Sequence, residues 1–275
     1  MPTVLVTGAS TGIGRASALR LAARSWRVFA GVRSEGAAAE LVAAAGEGSA
    51  LTPLILDVTS PEQIERARLA VGDRLDGLVN NAGIGVGGPL ELVSGEDLRR
   101  QFDVNVFGQV AVTRALLGAL RASRGRIVLV SSVGGRVSVP FNGPYAASKH
   151  AIEAIGDALR GELHSSGIAV SLIEPGSVRT PIWEKARATA RGIEVPPQLR
   201  DQYGHVREAF GKVLDDSERR GVPPEKVAAT IERALTAARP RARYLVGADA
   251  RGMVAARALL PTRLFDRVLR RALGV

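Results

Sequence analysis

The chain has no cysteine among its 275 residues. That excludes disulfides, thiolate metal sites and thiol nucleophiles, and it suits a reducing compartment. Histidine is scarce as well: His150, His164 and His205 are scattered without metal-ligand spacing, so no metal site is expected. Long apolar runs are missing. No stretch approaches the roughly 20 residues of a membrane-spanning helix, and the chain opens on a strand-like run without the basic region and apolar core of a secretion signal. These absences give the expectation of a cytoplasmic protein. What is present is a 46% hydrophobic content, enough for a large core. One domain is the default for an α/β chain of this length. The net charge of +10 is unevenly held: residues 1–183 carry 18 basic and 16 acidic side chains, residues 184–275 carry 19 and 11.

Thr3 to Thr7 is a short apolar run of the kind buried on both faces of a parallel sheet, and Gly8, Gly12 and Gly14 follow it at the entrance to a helix containing Ala16, Leu19, Leu21 and Ala22. Between a strand and a helix, such glycines let a dinucleotide pyrophosphate approach bare backbone and the helix N-terminal N–H groups. The spacing is G-x-x-x-G-x-G rather than the commoner G-x-G-x-x-G. The second strand, Arg27 to Val32, ends with neutral Gly31 and basic Arg33 where NAD-binding proteins use an acid for the ribose 2'-hydroxyl. Arg33 is either a partner for a 2'-phosphate or a solvated loop residue, and Glu35 nearby keeps NAD open. A helix from Gly36 to Ala45 precedes a strand from Leu51 to Leu56. Asp57 then either faces an adenine crevice or caps the helix beginning near Pro61.

The next strand, Gly77 to Val79, ends in Asn80-Asn81-Ala82-Gly83. Asn81 is placed to bond backbone across the sheet, and Gly83 to admit a cofactor closely. A long helix is expected from about Glu96 to Leu120, with Phe102, Val106, Val110 and Leu117 on its buried side. Asn105 is a poor mid-helix residue, so it signals either a kink or a polar role at a site. Strand Arg126 to Val130 leads to Ser131-Ser132. The segment opening at Gly143 has Pro144 in its first turn and an apolar stripe of Ile152, Ile155 and Leu159, which puts Tyr145 and Lys149 at i and i+4 on one helical face. A phenol working as a base at neutral pH needs its anion favoured by roughly 4 kcal/mol, and an adjacent ammonium can supply much of it. The alternative is a surface tyrosine beside a solvated lysine. Strand Ile168 to Ile173 then runs into Glu174-Pro175-Gly176-Ser177-Val178-Arg179-Thr180. Alternating strands and helices make a doubly wound parallel sheet, with the polar clusters at the strand C-terminal ends.

Thr7-Gly8-x-x-x-Gly12-Ile13-Gly14, Asn80-Asn81-Ala82-Gly83, Asn105, Ser132, Tyr145-x-x-x-Lys149 and Pro175-Gly176-x-x-x-Thr180 together resemble the signature set of the short-chain dehydrogenase/reductases, over about residues 3–250. The resemblance implies a seven-stranded Rossmann sheet and reversible hydride transfer between NAD(P) and a secondary alcohol or ketone. It implies Tyr145 as catalytic acid/base and Lys149 as the residue that lowers its pKa and bonds the nicotinamide ribose. Ser132 would hold the substrate oxygen, and Asn105 would position a water in a proton relay. Gly8, Gly12, Ile13 and Gly14 would lie at the pyrophosphate, Asp57 and Val58 near adenine, Asn81 beside the adenosine ribose, and Val178 and Thr180 at the carboxamide. One departure is Thr11, where many NADP-using members carry a basic residue, so the NADP(H) preference rests on Arg33 and the missing acid at Gly31. The family usually forms homodimers or homotetramers through the helices that here hold Asn105 and Tyr145.

Residues 180–224 are expected to form a lid carrying Ile182, Trp183, Tyr203 and Phe210, with Val137, Val139 and Phe141 lining an apolar pocket or simply packing. The run Ser171 to Trp183 resembles the branch acting on retinoids, hydroxysteroids and hydroxybutyrate, which implies a lipophilic ketone or alcohol. The second reading is a cofactor-sensing or nucleic-acid-binding protein using the basic C-terminal third; the complete Ser132, Tyr145 and Lys149 set argues against it. From Gly252 to Val275 the chain reads as a basic amphipathic helix, with Leu264, Phe265, Val268, Leu269 and Ala272 on one stripe and Arg263, Arg267, Arg270 and Arg271 mostly off it. That face either docks on the protein or attaches to an anionic membrane surface.

Overall fold

A computed structural model describes residues 1–182, 187, 192–204, 211, 215 and 219–273. Val4, Leu5 and Val6 of β1 (Thr3–Val6) are fully buried, Val4 and Val6 in one core and Leu5 in the other. A strand buried on both faces needs helices above and below it. With β2 (Arg27–Val32), β3 (Leu51–Ile55), β4 (Gly77–Asn80), β5 (Arg126–Val130), β6 (Ala169–Pro175) and β7 (Arg243–Val246), it forms one parallel sheet in the order β3-β2-β1-β4-β5-β6-β7. This is the doubly wound α/β architecture expected from the sequence. The strand order reverses between β1 and β4, and the crevice at that reversal is where such sheets bind ligands.

Helices α1 (Gly12–Ala22) and α2 (Glu35–Ala45), with α7 (Pro224–Thr236), fill the core on one side of the sheet. The other side is covered by α3 (Pro61–Val71), α5 (Gly108–Ser123) and α6 (Gly143–Glu162). Two further helices, α8 (Ala248–Leu259) and α9 (Thr262–Leu273), end the described chain. Among the described residues no helix is long and apolar enough to cross a membrane.

Three expectations need correction. The long helix is α4 (Gly95–Phe102) joined to α5 through a π-turn, Asp103–Phe107, with Asn105 at its centre. The extra residue rotates the following face by about 100°. The deeply buried positions are therefore Val112, Leu116 and Leu120, while Val110 and Leu117 are only half-buried. Second, β6 continues through Glu174 and Pro175, because they pair with Leu245 and Val246 of β7. Third, β7 was not located in the sequence: four residues beginning with arginine carry no run long enough to announce a strand.

Of the expected lid, Trp183 and Phe210 lie outside the described residues, as does His205. Ile182 is half-buried, the Tyr203 hydroxyl donates to Glu91 Oε2 at 2.8 Å, and Ile193 Cδ1 packs where a side chain on Gly88 would have to go.

Candidate active site

Gly8 and Gly12 sit at φ 65° and 55°, a left-handed conformation that costs other residues about 1 kcal/mol or more. A Cβ on Gly14 would run into the Gly8 carbonyl and the Asn81 amide. Ile13 packs half-buried against the α1 side of the core. Serines 34, 60 and 94 cap α2, α3 and α4 through backbone N–H groups, and each helix has an acid in its first turn. The N-terminus of α1 has neither: Thr11 makes no side-chain cap and no acid follows. Its N–H groups and positive dipole end are left for an anion, which fits a dinucleotide pyrophosphate. Asn81 Nδ2 donates to the carbonyls of Thr7 and Gly8, both at 3.0 Å, while Thr7 Oγ1 accepts from the N–H groups of Asn81 and Ala82, also at 3.0 Å. The cross-sheet bond expected of Asn81 is therefore made, and it fixes the two loops that flank the crevice.

Arg33, Asp57 and Val58 are brought together on a cavity of about 940 Å³ that continues past Ile84 and Gly85 towards Phe107. This cavity covers the flank of the crevice and does not reach Tyr145. Gly31 is inside the sheet, where a Cβ would lie 3.0 Å from Leu56 Cδ2. A larger side chain there would have to displace the end of the Leu56 side chain, and the strand end is formed by neutral Val32 and exposed Arg33. Asp57 does not cap α3. Its Oδ1 accepts from Thr59 N–H at 2.9 Å and Thr59 Oγ1 at 2.7 Å, and Ser60 provides the cap.

Pro144 lies in the first turn of α6, and Tyr145 and Lys149 share its inner face, with Lys149 Nζ 5.7 Å from the tyrosine ring centroid. Ser132 Oγ accepts from Gly134 N–H at 3.0 Å, and a Cβ on Gly134 would sit 3.3 Å from Tyr145 Cε1 and 3.5 Å from Ser132 Oγ. Burial pushes the Tyr145 phenol up from its ordinary value, and its hydrogen bond with Ser132 partly opposes this. Lys149 is 4% exposed, donates to the Val130 carbonyl at 2.8 Å, and is lowered to about 8 by burial, with the Glu153 carboxylate acting against the shift.

Asn105 Oδ1 accepts from Ile84 N–H at 2.8 Å, and its Nδ2 donates to the Ile84 carbonyl at 3.0 Å and to Ser148 Oγ at 3.1 Å. A Cβ on Gly83 would be 3.3 Å from Asn105 Oδ1 and 3.8 Å from Lys149 Nζ, so these two groups flank Gly83. Gln101, Gln109 and Thr113 extend the pattern and were missed. Gln101 bonds Ile84 and Val86, Gln109 bonds Ala82, and Thr113 bonds Asn80. Buried polar residues every fourth position were the available signal. Across the site, Gly176 N–H donates to the Val246 carbonyl at 2.9 Å, and Asp249 Oδ2 accepts from Ser177 N–H at 2.7 Å. A Cβ on Gly176 would strike the Asp249 carboxylate. No local motif announces Asp249. Val178 bridges Val222, and the Thr180 methyl lies 3.0 Å from where a Cβ on Gly12 would stand, so the loop after Pro175 closes onto the glycine-rich turn.

A sequence model of short chain dehydrogenases matches residues 2–191. An NADPH-dependent 3-dehydrocapnine reductase from Ornithobacterium rhinotracheale is 37% identical, over 98% of this chain and 96% of the relative. Mouse retinol dehydrogenase 5 is 36% identical over 97% of this chain and 87% of its own length. Among solved structures, a short chain dehydrogenase/reductase from Burkholderia phymatum in complex with NAD has a TM-score of 0.80 at 28% identity, covering 94% of this chain and 92% of that one. With the seven-stranded parallel sheet, the open α1 N-terminus and the Ser132, Tyr145 and Lys149 grouping, these likenesses identify the chain as a member of the short-chain dehydrogenase/reductase family, oxidoreductases that use NAD(P).

Proposed function

We propose that this oxidoreductase transfers a hydride between NADP(H) and a lipophilic ketone or alcohol, Tyr145 being the catalytic acid/base that donates its proton in the reducing direction. The observation that carries the reading is the grouping of Ser132, Tyr145 and Lys149, with Lys149 Nζ 5.7 Å from the tyrosine ring centroid and Ser132 Oγ and the tyrosine ring both set against Gly134. When bound, the nicotinamide supplies the hydride. Ser132 Oγ holds the carbonyl oxygen, Tyr145 Oη gives that oxygen its proton as negative charge develops, and the oxygen becomes a hydroxyl. Lys149, buried and bonded to Val130, orients the phenol and returns a proton to it, and Asn105, on the other side of Gly83, fits a relay position. Gly8, Gly12, Ile13, Gly14 and Asn81 hold the pyrophosphate and ribose end, Pro175, Gly176, Val178 and Thr180 the carboxamide end, and Asp57 and Val58 the adenine.

NADP(H) is favoured because exposed Arg33 stands at the cavity rim beside neutral Val32, and a relative is named as NADPH-dependent. Lipophilicity of the substrate is supported by buried Val137 and half-buried Val139, Phe141 and Ile182, and by the retinol dehydrogenase relative. Exposed Phe107, 6.5 Å from the Phe102 ring on the helix pair that carries Asn105, offers an apolar face for a second copy of the chain. The nucleic-acid-binding reading is set aside, since the relatives are oxidoreductases. A ketone panel run with NADPH and NADH on the parent and Tyr145→Phe tests the reading. Loss of about 10²-fold or more in kcat is expected; equal turnover by both proteins removes the assignment.

A further inference from the structure

At the far edge of the sheet, β7 pairs with β6 and with no other strand among the described residues. A second cavity, of about 610 Å³, lies along that open edge between α7 and α8 and away from Tyr145. Six cations line it: Arg136, Lys226, Arg233, Arg241, Arg243 and Arg251. Its floor is apolar, with Ala229, Leu245 and Val254, and the one acid on its lining is Glu174.

The charges divide into two sets. Arg243 is tied to Glu153 at 3.0 Å, Asp157 at 2.6 Å and Glu174 at 3.1 Å, and Arg136 to Glu174 at 3.0 Å. Glu174 is fully buried and its charge is met twice, so it fixes two guanidinium groups in the wall rather than repelling an incoming anion. The other four cations, Lys226, Arg233, Arg241 and Arg251, have no carboxylate within ion-pair distance among the described residues. Even with Asp157 and Glu153 counted, six cations face three carboxylates. Like charges around a concave, low-dielectric surface concentrate a positive potential inside it, and their mutual repulsion is relieved when a multivalent anion enters. The volume falls within the roughly 300–1,000 Å³ of small-molecule sites. The edge strand adds a row of backbone groups with no strand partner.

We propose that this cavity binds a phosphate-type multivalent oxyanion, carried either by a soluble metabolite or by a lipid headgroup. Part of the basic excess of the C-terminal third then has a ligand, independent of the hydride-transfer site.

The test uses the full chain saturated with NADP⁺, so that the glycine-rich turn is already engaged, and titrates inorganic pyrophosphate calorimetrically at low ionic strength. Saturable binding that weakens with NaCl is expected, and Arg233→Ser with Arg241→Ser should weaken it about tenfold or more, roughly 1.4 kcal/mol. Lys226→Ser serves as a milder variant and should weaken it less. An exposed pair elsewhere, Arg66→Ser with Arg121→Ser, removes the same charge and should leave affinity unchanged. Flotation with phosphatidic acid vesicles separates the two sources: loss of flotation in the Arg233/Arg241 variant assigns a lipid headgroup, and a loss confined to pyrophosphate assigns a soluble anion. No saturable pyrophosphate binding together with no cavity-dependent flotation overturns the proposal, as does equal weakening by the control pair. Because the readout is binding, failure of the catalytic reading leaves it untouched.

Discussion

Asn105 holds Ile84 by both of its backbone groups, accepting from the N–H at 2.8 Å and donating to the carbonyl at 3.0 Å. The π-turn is what turns this side chain onto the loop after β4. Asn105→Ala strands those groups at a cost of about 1–3 kcal/mol, a fall in Tm of roughly 3–10 °C for a chain of this size. Gln101→Ala also unpins the loop but removes nothing beside Gly83 and Lys149. Both variants should lose thermal stability, and only Asn105→Ala should lose kcat strongly. Equal kcat in the two would leave Asn105 a structural clamp.

What could be read in the sequence was what covalent geometry or contiguous pattern dictates. Gly8 and Gly12 take a positive φ that glycine adopts without strain, and Tyr145 and Lys149 had to share a face because a helix places i and i+4 together. The buried face after Asn105 was misplaced because one extra residue in the turn shifts every later position, and a periodic pattern cannot count it in advance. Asp249 on Ser177, and Arg243 on Glu153, join residues 72 and 90 positions apart, and only the folded sheet brings them together.

Lys149 titrates at about 8, against an ordinary 10.5, while Tyr145 is pushed above its usual range. The falling limb of the pH profile for ketone reduction should therefore lie near pH 8 and belong to Lys149. Glu153 works against the lysine's downward shift, so Glu153→Gln should move the limb to lower pH. The stability linkage has the opposite sense to a salt-bridged lysine. Between about pH 8 and 10.5 the unfolded chain binds this proton and the native chain does not, so the group's contribution to stability rises with pH through that window, and below it the burial cost is felt in full. A limb unmoved in Glu153→Gln would dissociate the carboxylate from the lysine.

Arg33 is an exposed cation at the cavity that also holds Asp57 and Val58, and the other arginine lining it, Arg100, is paired with Asp97 at 2.6 Å. A guanidinium meeting a 2'-phosphate makes charge-assisted bonds that a ribose hydroxyl cannot replace. Arg33→Ala should raise KM for NADPH about tenfold or more, near 1.4 kcal/mol, and leave KM for NADH within about twofold. Equal increases for both cofactors would mean that Arg33 does not read the 2'-phosphate.

The tail gives the last prediction. Phe265, expected on the lipid-facing stripe, is 5% exposed, with the Arg257 guanidinium 5.7 Å from its ring centroid. It therefore docks α9 on α8 and is unavailable to a membrane. Leu259, Leu264 and Val268 remain exposed, with Arg263, Arg267, Arg270 and Arg271 also in solvent. Burying a leucine and a valine in lipid is worth roughly 1.5–3 kcal/mol each, and each arginine near an anionic surface adds about 1 kcal/mol. From these terms we expect weak, reversible attachment to an anionic surface. Leu264→Glu with Val268→Glu should abolish flotation of the full chain with anionic vesicles while leaving Tm nearly unchanged, since both side chains already face water. Phe265→Ala should do the reverse, loosening the α8 and α9 contact and lowering thermal stability of the tail. Flotation that survives Leu264→Glu with Val268→Glu, or that never occurs even at low salt, would leave α9 with the packing role that Phe265 already performs.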